Sequence, residues 1–345
     1  MADAFTLPSD LFIPEACQEY MGYEFYSSLG VLDSLTSLGP LGDRAPIRVK
    51  GFDVLRAGGQ FVDSPVFKPI SGLVTRRNYA SGGDAVDTLK LESRNDRGVA
   101  LRCKIGPVAL TRDAGIISKA NQGMLEQEIA RQAARAIREY VQDAVILAWR
   151  TVVRDMTSTL HSLDVWNASS RTNLSTALLQ RLNQTMADRQ DAITGYLMRS
   201  DAHYDLFAEQ DGKGVSLDPA TTGDIRTLKR AWAMVDNSYL TTADAGFNKT
   251  HILAGGEGGI ELEFTNLIMF PPEIRLDQES VNIILRGDCD FNLRVPGFAF
   301  SNSIANPVVG TSSSQLGHAD SWAPTYSDHR ECKLAELTCN SSLLS

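Results

Sequence analysis

A chain of 345 residues, 43% apolar and 22% charged, holds enough material to bury a core shared by two or three lobes. Its net charge of −9 lacks the basic excess of a freely diffusing nucleic-acid binder, and no apolar run approaches the roughly 18 residues of a membrane-spanning helix. Five cysteines (Cys17, Cys103, Cys289, Cys332, Cys339), odd in number and scattered, predict free thiols, and the N-terminus has no secretory-signal pattern.

Residues 1–46 carry seven acids against Arg44 alone, a local balance of −6, and include a loosely helical patch from Pro14 to Leu29. With too little apolar surface for a core of its own, this segment reads as an arm lying on another surface. Residues 47–104 reverse the balance to +5. The runs GFDVLRAGGQF, SGLVTRRNY, DTLKLES and VALRCKI alternate apolar and polar positions between the turn signals AGG, DSP, SGGD and RNDRG. Short of apolar mass, they predict an extended two-stranded ribbon, marginal alone in water.

From Gly123 to Met156 the pattern is helical. Ile129, Ala133, Ala136, Ile137, Tyr140, Val141, Ala144, Val145, Ala148, Trp149, Val152, Val153 and Met156 follow one another at steps of three, four or one. At about 1.5 Å per residue this helix extends roughly 50 Å, longer than most in globular domains. A second helix is predicted over Arg171–Gln190, then the strand AITGYLMR, a short helix SDAHYDLFAEQ with Ser200 as its cap, and the strand RAWAMVD. HILAGGEGGIELEF reads as a hairpin turning at its glycines, completing an α/β lobe of about 100 residues. VNIILR and FNLRV return to strand, a polar tail begins at Ser301, and CKLAELT forms the last strand.

Chemistry-bearing motifs are sparse. AGGEGG (254–259) lacks GxxxxGK[ST] and opens no helix, so a turn outweighs a phosphate cradle. His318, His329, Cys332 and Cys339 lack paired zinc-ligand spacing, and Asp288 with Asp290 reads as a solvated turn. There is no GxSxG, and His161, His203 and His251 have no catalytic companions in sequence. No catalytic, cofactor or metal residues are assigned, and the chain is not expected to be an enzyme. Arg131, Arg135 and Arg138 form a stripe on the long helix, within pairing distance of Glu128 and Glu139.

FKPISGLVTRRN (67–78), KIGPVALTRDA (104–114), the long helix, ITGYLMRSDAHYDLFAEQ (193–210) and VPGFAFSNSIANP (295–307) occur in an order that resembles the major capsid proteins of tailed bacteriophages, with the Hong Kong 97 fold. The resemblance implies an α+β capsid fold: an N-terminal arm (1–46), an E-loop (47–104), a peripheral domain on a spine helix (105–165 and 275–345) and an axial domain (166–274). It implies hexamers and pentamers in an icosahedral shell enclosing double-stranded DNA without sequence-specific binding. The shell would be assembled in the host cytoplasm with a separate scaffolding protein, a portal and a decoration protein, and without a membrane. An encapsulin-like nanocompartment and a phosphate-ligand enzyme are the alternatives. The charge split assigns inter-subunit roles to Asp3, Asp10, Glu15 and Glu19 on the acidic arm, against Lys68, Arg76 and Arg77 on the basic E-loop of a neighbour. Arm and ribbon are then expected to be stable only among other copies.

Overall fold

The computed structural model describes residues 14–27, 30–50, 61–68, 91–111, 122–156, 160–169, 172–211, 230–243, 248–271, 273–276, 281–301, 311–326 and 328–340. Four of its helices are α1 (Pro14–Ser27), the spine α2 (Gln122–Asp155), α3 (Thr176–Gln184) and α4 (Ser200–Asp211). The described residues also form, in chain order, the strands β1 (Ile47–Lys50), β2 (Phe61–Phe67), β3 (Ser93–Thr111), β4 (Ser162–Asp164), β5 (Ile193–Met198), β6 (Ala231–Met234) and β7 (Thr241–Thr242), then β8 (Lys249–Gly256), β9 (Ile260–Met269), β10 (Glu273–Leu276), β11 (Val281–Arg294), β12 (Phe298–Phe300), β13 (Trp322–Pro324) and β14 (Leu334–Asn340).

Two sheets flank the spine. The first runs β1-β9-β11-β3-β12-β13, with β10 on β11 and β2 on β3; the second runs β4-β14-β8-β5-β6, with β7 on β8. Although the expected Ala136 is exposed, the spine buries Ile137, Val141, Val145, Trp149, Val152 and Val153 as its periodicity predicts, and Ala130 and Ala134 in addition. These residues share one core with the first sheet and with Leu197, Leu253 and Leu334 from one face of the second. The other face of the second sheet presents Tyr196, Ile252, Ala254 and Leu337 to α3 and α4. Covered on both sides, β8 is buried at every position after Lys249, whereas β9 alternates.

That contrast corrects the expected hairpin. The strands around AGGEGG belong to different sheets: β8 pairs with β14 and β5, and β9 with β1 and β11. Other segments pin the crossover, because Gly256, Gly258 and Ile260 donate their N–H groups to the carbonyls of Lys333, Ala45 and Pro46. Gly258 holds φ +63 there. Those donors are spent, so the loop cannot cradle a phosphate. The second helix is also shorter than predicted. Ser175 caps its start, and beyond its end at Gln184 a 3-10 segment opens at Ala187, which holds φ 51. RNDRG is no turn but the interior of β3, where Arg94 and Asp96 point into the body. The polar tail contributes β13, whose Trp322 is buried with its ring 5.0 Å from that of Phe300.

The arm requires a larger correction. Cys17, Met21 and Phe25, at four-residue spacing, are buried against the same chain's spine and β9, and the Phe25 ring meets Phe264 edge-on at 4.9 Å. Leu32, Leu35 and Ala45 continue this stripe into the main core region. Residues 1–46 have too little apolar surface for a core of their own, as the sequence predicts, but the described ones add it to the core of the same chain. The described part of the arm folds on its own subunit.

Gly195 and Gly255 are cross-strand partners in the second sheet. A Cβ on Gly255 would lie 2.6 Å from the Trp149 ring and 2.8 Å from Pro46, and one on Gly195 would lie 2.4 Å from Leu35. The bare backbone forms a flat seat for the spine and the arm together. Gly255→Ala is therefore expected to cost about 1–3 kcal/mol through overpacking. The effect should register as a lower denaturant midpoint at unchanged slope, and an unaltered midpoint would show that the seat relaxes freely.

Candidate assembly surfaces

A ribbon leaves the first sheet as β2 and β3 pair from Phe61↔Val99 to Phe67↔Ser93. Its inner face is tied to the body. Arg94 lies 3.1 Å from the buried Asp96 and also pairs with Glu331, and Asp96 accepts hydrogen bonds from Gly297 N at 2.8 Å and Thr325 Oγ1 at 2.7 Å. The outer face carries Pro65, Phe67 and Leu91, and the last two are 70% and 60% exposed. Exposed large apolar side chains in such a position make this face a candidate contact surface.

The short turn His329–Glu331 joins three parts of the subunit. Glu331 holds the ribbon through Arg94, and Arg330 holds the second lobe by donating to Asp188. The Arg330 hydrogen bonds and charge keep the carboxyls of Asp188 and Asp328 low, the latter at about 2. His329 Nδ1 lies 3.1 Å from Nε2 of the buried His161. A second polar cluster ties the spine to the second sheet. Nδ1 of His251 is 2.7 Å from Glu336, and its Nε2 is 3.0 Å from an Arg150 nitrogen. Because the guanidinium only donates, Nδ1 carries the imidazole proton and gives it to Glu336. Burial pushes the Glu336 carboxyl up, but the His251 hydrogen bond and charge, and the charge and hydrogen bond of Arg150, leave it below its ordinary value.

Other sequence candidates resolve into structural roles. Arg131 pairs with Glu128 and Arg135 with Glu139, while Arg138 crosses to α1 and donates to the Glu24 carbonyl. His203 stacks on Trp232 at 4.4 Å. Asp288 and Asp290 stand in β11 opposite Lys104 and Arg102. Among the described residues no cluster of His, Cys, Asp and Glu could hold a metal. Of the proposed inter-subunit residues, Glu15 and Glu19 are exposed on α1, and Lys68 is bonded to Glu92 of its own ribbon at 3.0 Å. Asp3, Asp10, Arg76 and Arg77 lie outside the described residues. Sequence reasoning missed Arg94, Asp96, Arg330 and Glu331. The only available signal was the every-second-residue spacing of Arg94 and Asp96, which fits one face of a strand.

A spine crossed by two sheets, with a ribbon projecting from one of them, is the arrangement under which comparison with known proteins becomes decisive. The family model for major capsid protein 13-like proteins matches residues 53–332. The chain belongs to that family. It is a phage major capsid protein, a structural component of the virion shell, and neither the nanocompartment nor the enzyme alternative is favoured. Comparison with curated proteins finds no match. Among solved structures the fold is similar to the capsid of Ralstonia phage GP4, with a TM-score of 0.56 and 9% identity over 91% of both chains. It is also similar to the capsid of Helicobacter pylori bacteriophage KHP30, at 0.52 and 10% identity over 89% of this chain and 90% of that one. A third similar fold is the Cyanophage Pam1 capsid, at 0.52 and 10% identity over 85% and 91%.

The buried His161 gives this capsid protein an acid-sensitive element. Burial holds its imidazole below the ordinary 6.5, with the Leu334 carbonyl acting in the opposite direction. A depressed histidine contributes stability above its unfolded value, and loses that contribution as pH falls toward the folded value. The urea midpoint of the subunit should therefore decline from about pH 6.5 downward. His161→Gln should flatten this decline, and an equally steep one in the variant would exclude His161 as its source.

Proposed function

We propose that this capsid protein assembles as hexamers and pentamers into an icosahedral shell that encloses phage double-stranded DNA without sequence-specific contacts. The observation that carries this reading is the ribbon with its exposed Phe67 and Leu91, in a chain of a major capsid protein family. The spine and those strands of the first sheet that fall within 105–165 and 275–345 would form the peripheral domain, and the second lobe the axial domain (166–274). β9 and β14 exchange sides between these two ranges, since β9 lies in the first sheet and β14 in the second. Axial domains would meet head to tail around local symmetry axes, a heterologous contact that closes because the rotation closes. Residues 1–46 and 47–104 would then supply the arm and E-loop. Assembly in the host cytoplasm, a separate scaffolding protein, a portal and a decoration protein complete the proposal.

Contact between neighbours would set the acidic side of α1, with Glu15 and Glu19, and the acids Asp3 and Asp10 before it, against the E-loop arginines Arg76 and Arg77. Lys68 would contribute less, because it already answers Glu92. Each exposed pair is worth about 0–1 kcal/mol, and repetition around a closed shell multiplies the sum. Replacing Arg76 and Arg77 together with Glu is expected to reduce closed shells in negative-stain micrographs and to make the remainder more salt-sensitive. Normal shells with unchanged salt tolerance would refute the charge pairing, whereas failure of the unaltered protein to form shells would refute the assembly reading itself.

A further inference from the structure

Cys103 and Cys289, remote in sequence, stand directly opposite each other in the antiparallel ladder of β3 and β11. Cross-strand partners have Cα atoms about 4.5–5.5 Å apart, within the roughly 4.4–6.8 Å that a disulfide spans. Both side chains lie on the spine-facing side of the sheet. Cys289 is buried in the main core, Cys103 packs against that core, and Cys103 is hydrogen-bonded to Tyr140 of the spine. Both thiols are free. Cys103 is only half-buried, and it lines an open groove of about 550 Å³ between the spine and β3, bordered by Ile129, Ala136 and Tyr140.

From this geometry we propose that Cys103 and Cys289 form an oxidation site that closes an intrachain disulfide between β3 and β11 when the protein meets a peroxide. The groove admits hydrogen peroxide to Cys103 first. The Cys103 sulfur attacks one peroxide oxygen, the O–O bond breaks, and a sulfenic acid and one water result. The Cys289 sulfur then attacks the Cys103 sulfur, the S–O bond breaks, and the hydroxide leaves as a second water with the Cys289 proton. Two thiols and one peroxide become one disulfide and two waters. Burial pushes both thiols up to about 12, so thiolate is scarce and the pair stays reduced until exposure to oxidant is prolonged. Closure staples the strand that carries the ribbon to the central strand of the first sheet, and loops out the whole spine and second lobe between its ends.

The test treats the full-length protein with hydrogen peroxide, then denatures, alkylates and digests it. The protein should lose two of its five alkylatable thiols and yield a Cys103–Cys289 linked peptide that dithiothreitol separates. Its thermal midpoint should rise by roughly 5 °C or more, and neither Cys103→Ala nor Cys289→Ala should show the rise. The linked peptide is read on the unaltered protein, so the test survives a variant that folds poorly. Five intact thiols after treatment, a sulfinic acid on Cys103 without the linked peptide, or linked peptides joining two different chains would each overturn the proposal. None of these outcomes depends on whether shells form, so the assembly reading stands or falls separately.

Discussion

Everything in this subunit is referred to one contact, where the Trp149 ring rests on the bare backbone of Gly255 beside Gly195. The pairing of two glycines across adjacent strands removes the side chains that would hold the spine off the second sheet. Leu35 and Pro46 fill the remaining space, so the arm is locked into the same joint. A 34-residue helix has little means of staying straight and fixed except burial of one face. Here that face is shared between two sheets that do not hydrogen-bond to each other, and the tryptophan is where the sharing happens. The contact also explains why AGGEGG crosses between sheets instead of folding back. Once Gly255 is seated under Trp149, the next residues emerge beside Ala45 and Pro46, whose carbonyls take their N–H groups.

Apolar contact sets the distance between spine and sheet but leaves their sliding only weakly restrained. The Arg150–His251–Glu336 cluster supplies the restraint, because each partner has a fixed number of donors and one satisfying arrangement. Breaking such a buried pair costs about 3–5 kcal/mol, since a charge is left without a partner. The His329–Glu331 turn plays the same part for the ribbon. It takes Arg94 from β3, Asp188 from the second lobe and His161 just beyond the spine, so a displacement of any one of these is felt by the other two.

The spine and the run from Phe291 to Val295 were legible in sequence because each follows one period without interruption, and ITGYLM because its near-continuous burial suits a short strand covered on both faces. Ile129, Ala133, Ala136 and Tyr140 satisfy the same helical period yet line the open groove at the margin of the core and are not fully buried. Periodicity identifies an apolar flank; it does not say which part of that flank a sheet covers. The arm was misjudged for the converse reason. Its apolar residues are divided among a helix, a 3-10 turn and the approach to β1, and only the fold sums them into one surface. RNDRG shows the limit of composition. Arg, Asn, Asp and Gly together signal a turn, but Arg94 and Asp96 neutralise each other on one face of a strand and Gly98 lets the Leu293 carbonyl approach, with an added Cβ only 2.8 Å away. The thiol pair was invisible because register between β3 and β11 is a property of the sheet.

Local charge balance overstates what a segment can offer to a partner. Residues 47–104 look strongly basic, yet Arg48, Lys50, Lys68, Arg94 and Arg97 are bonded to Glu257, Glu261, Glu92, Asp96 and Asp63 of the same chain. The Arg294 side chain joins Lys50 on Glu261, where burial pushes the carboxyl up and the two cations bring it below its ordinary value. Much of the excess is consumed in holding the ribbon and the first strand in place. On the described ribbon face Pro65, Phe67 and Leu91 stand exposed beside Ser93 and Asn95. Covering apolar surface yields about 25 cal/mol per Å² and is insensitive to screening, whereas an exposed ion pair is worth about 0–1 kcal/mol and weakens with salt. A partner that covers the exposed Phe67 and Leu91 side chains therefore gains more from them than from an exposed ion pair on the same face.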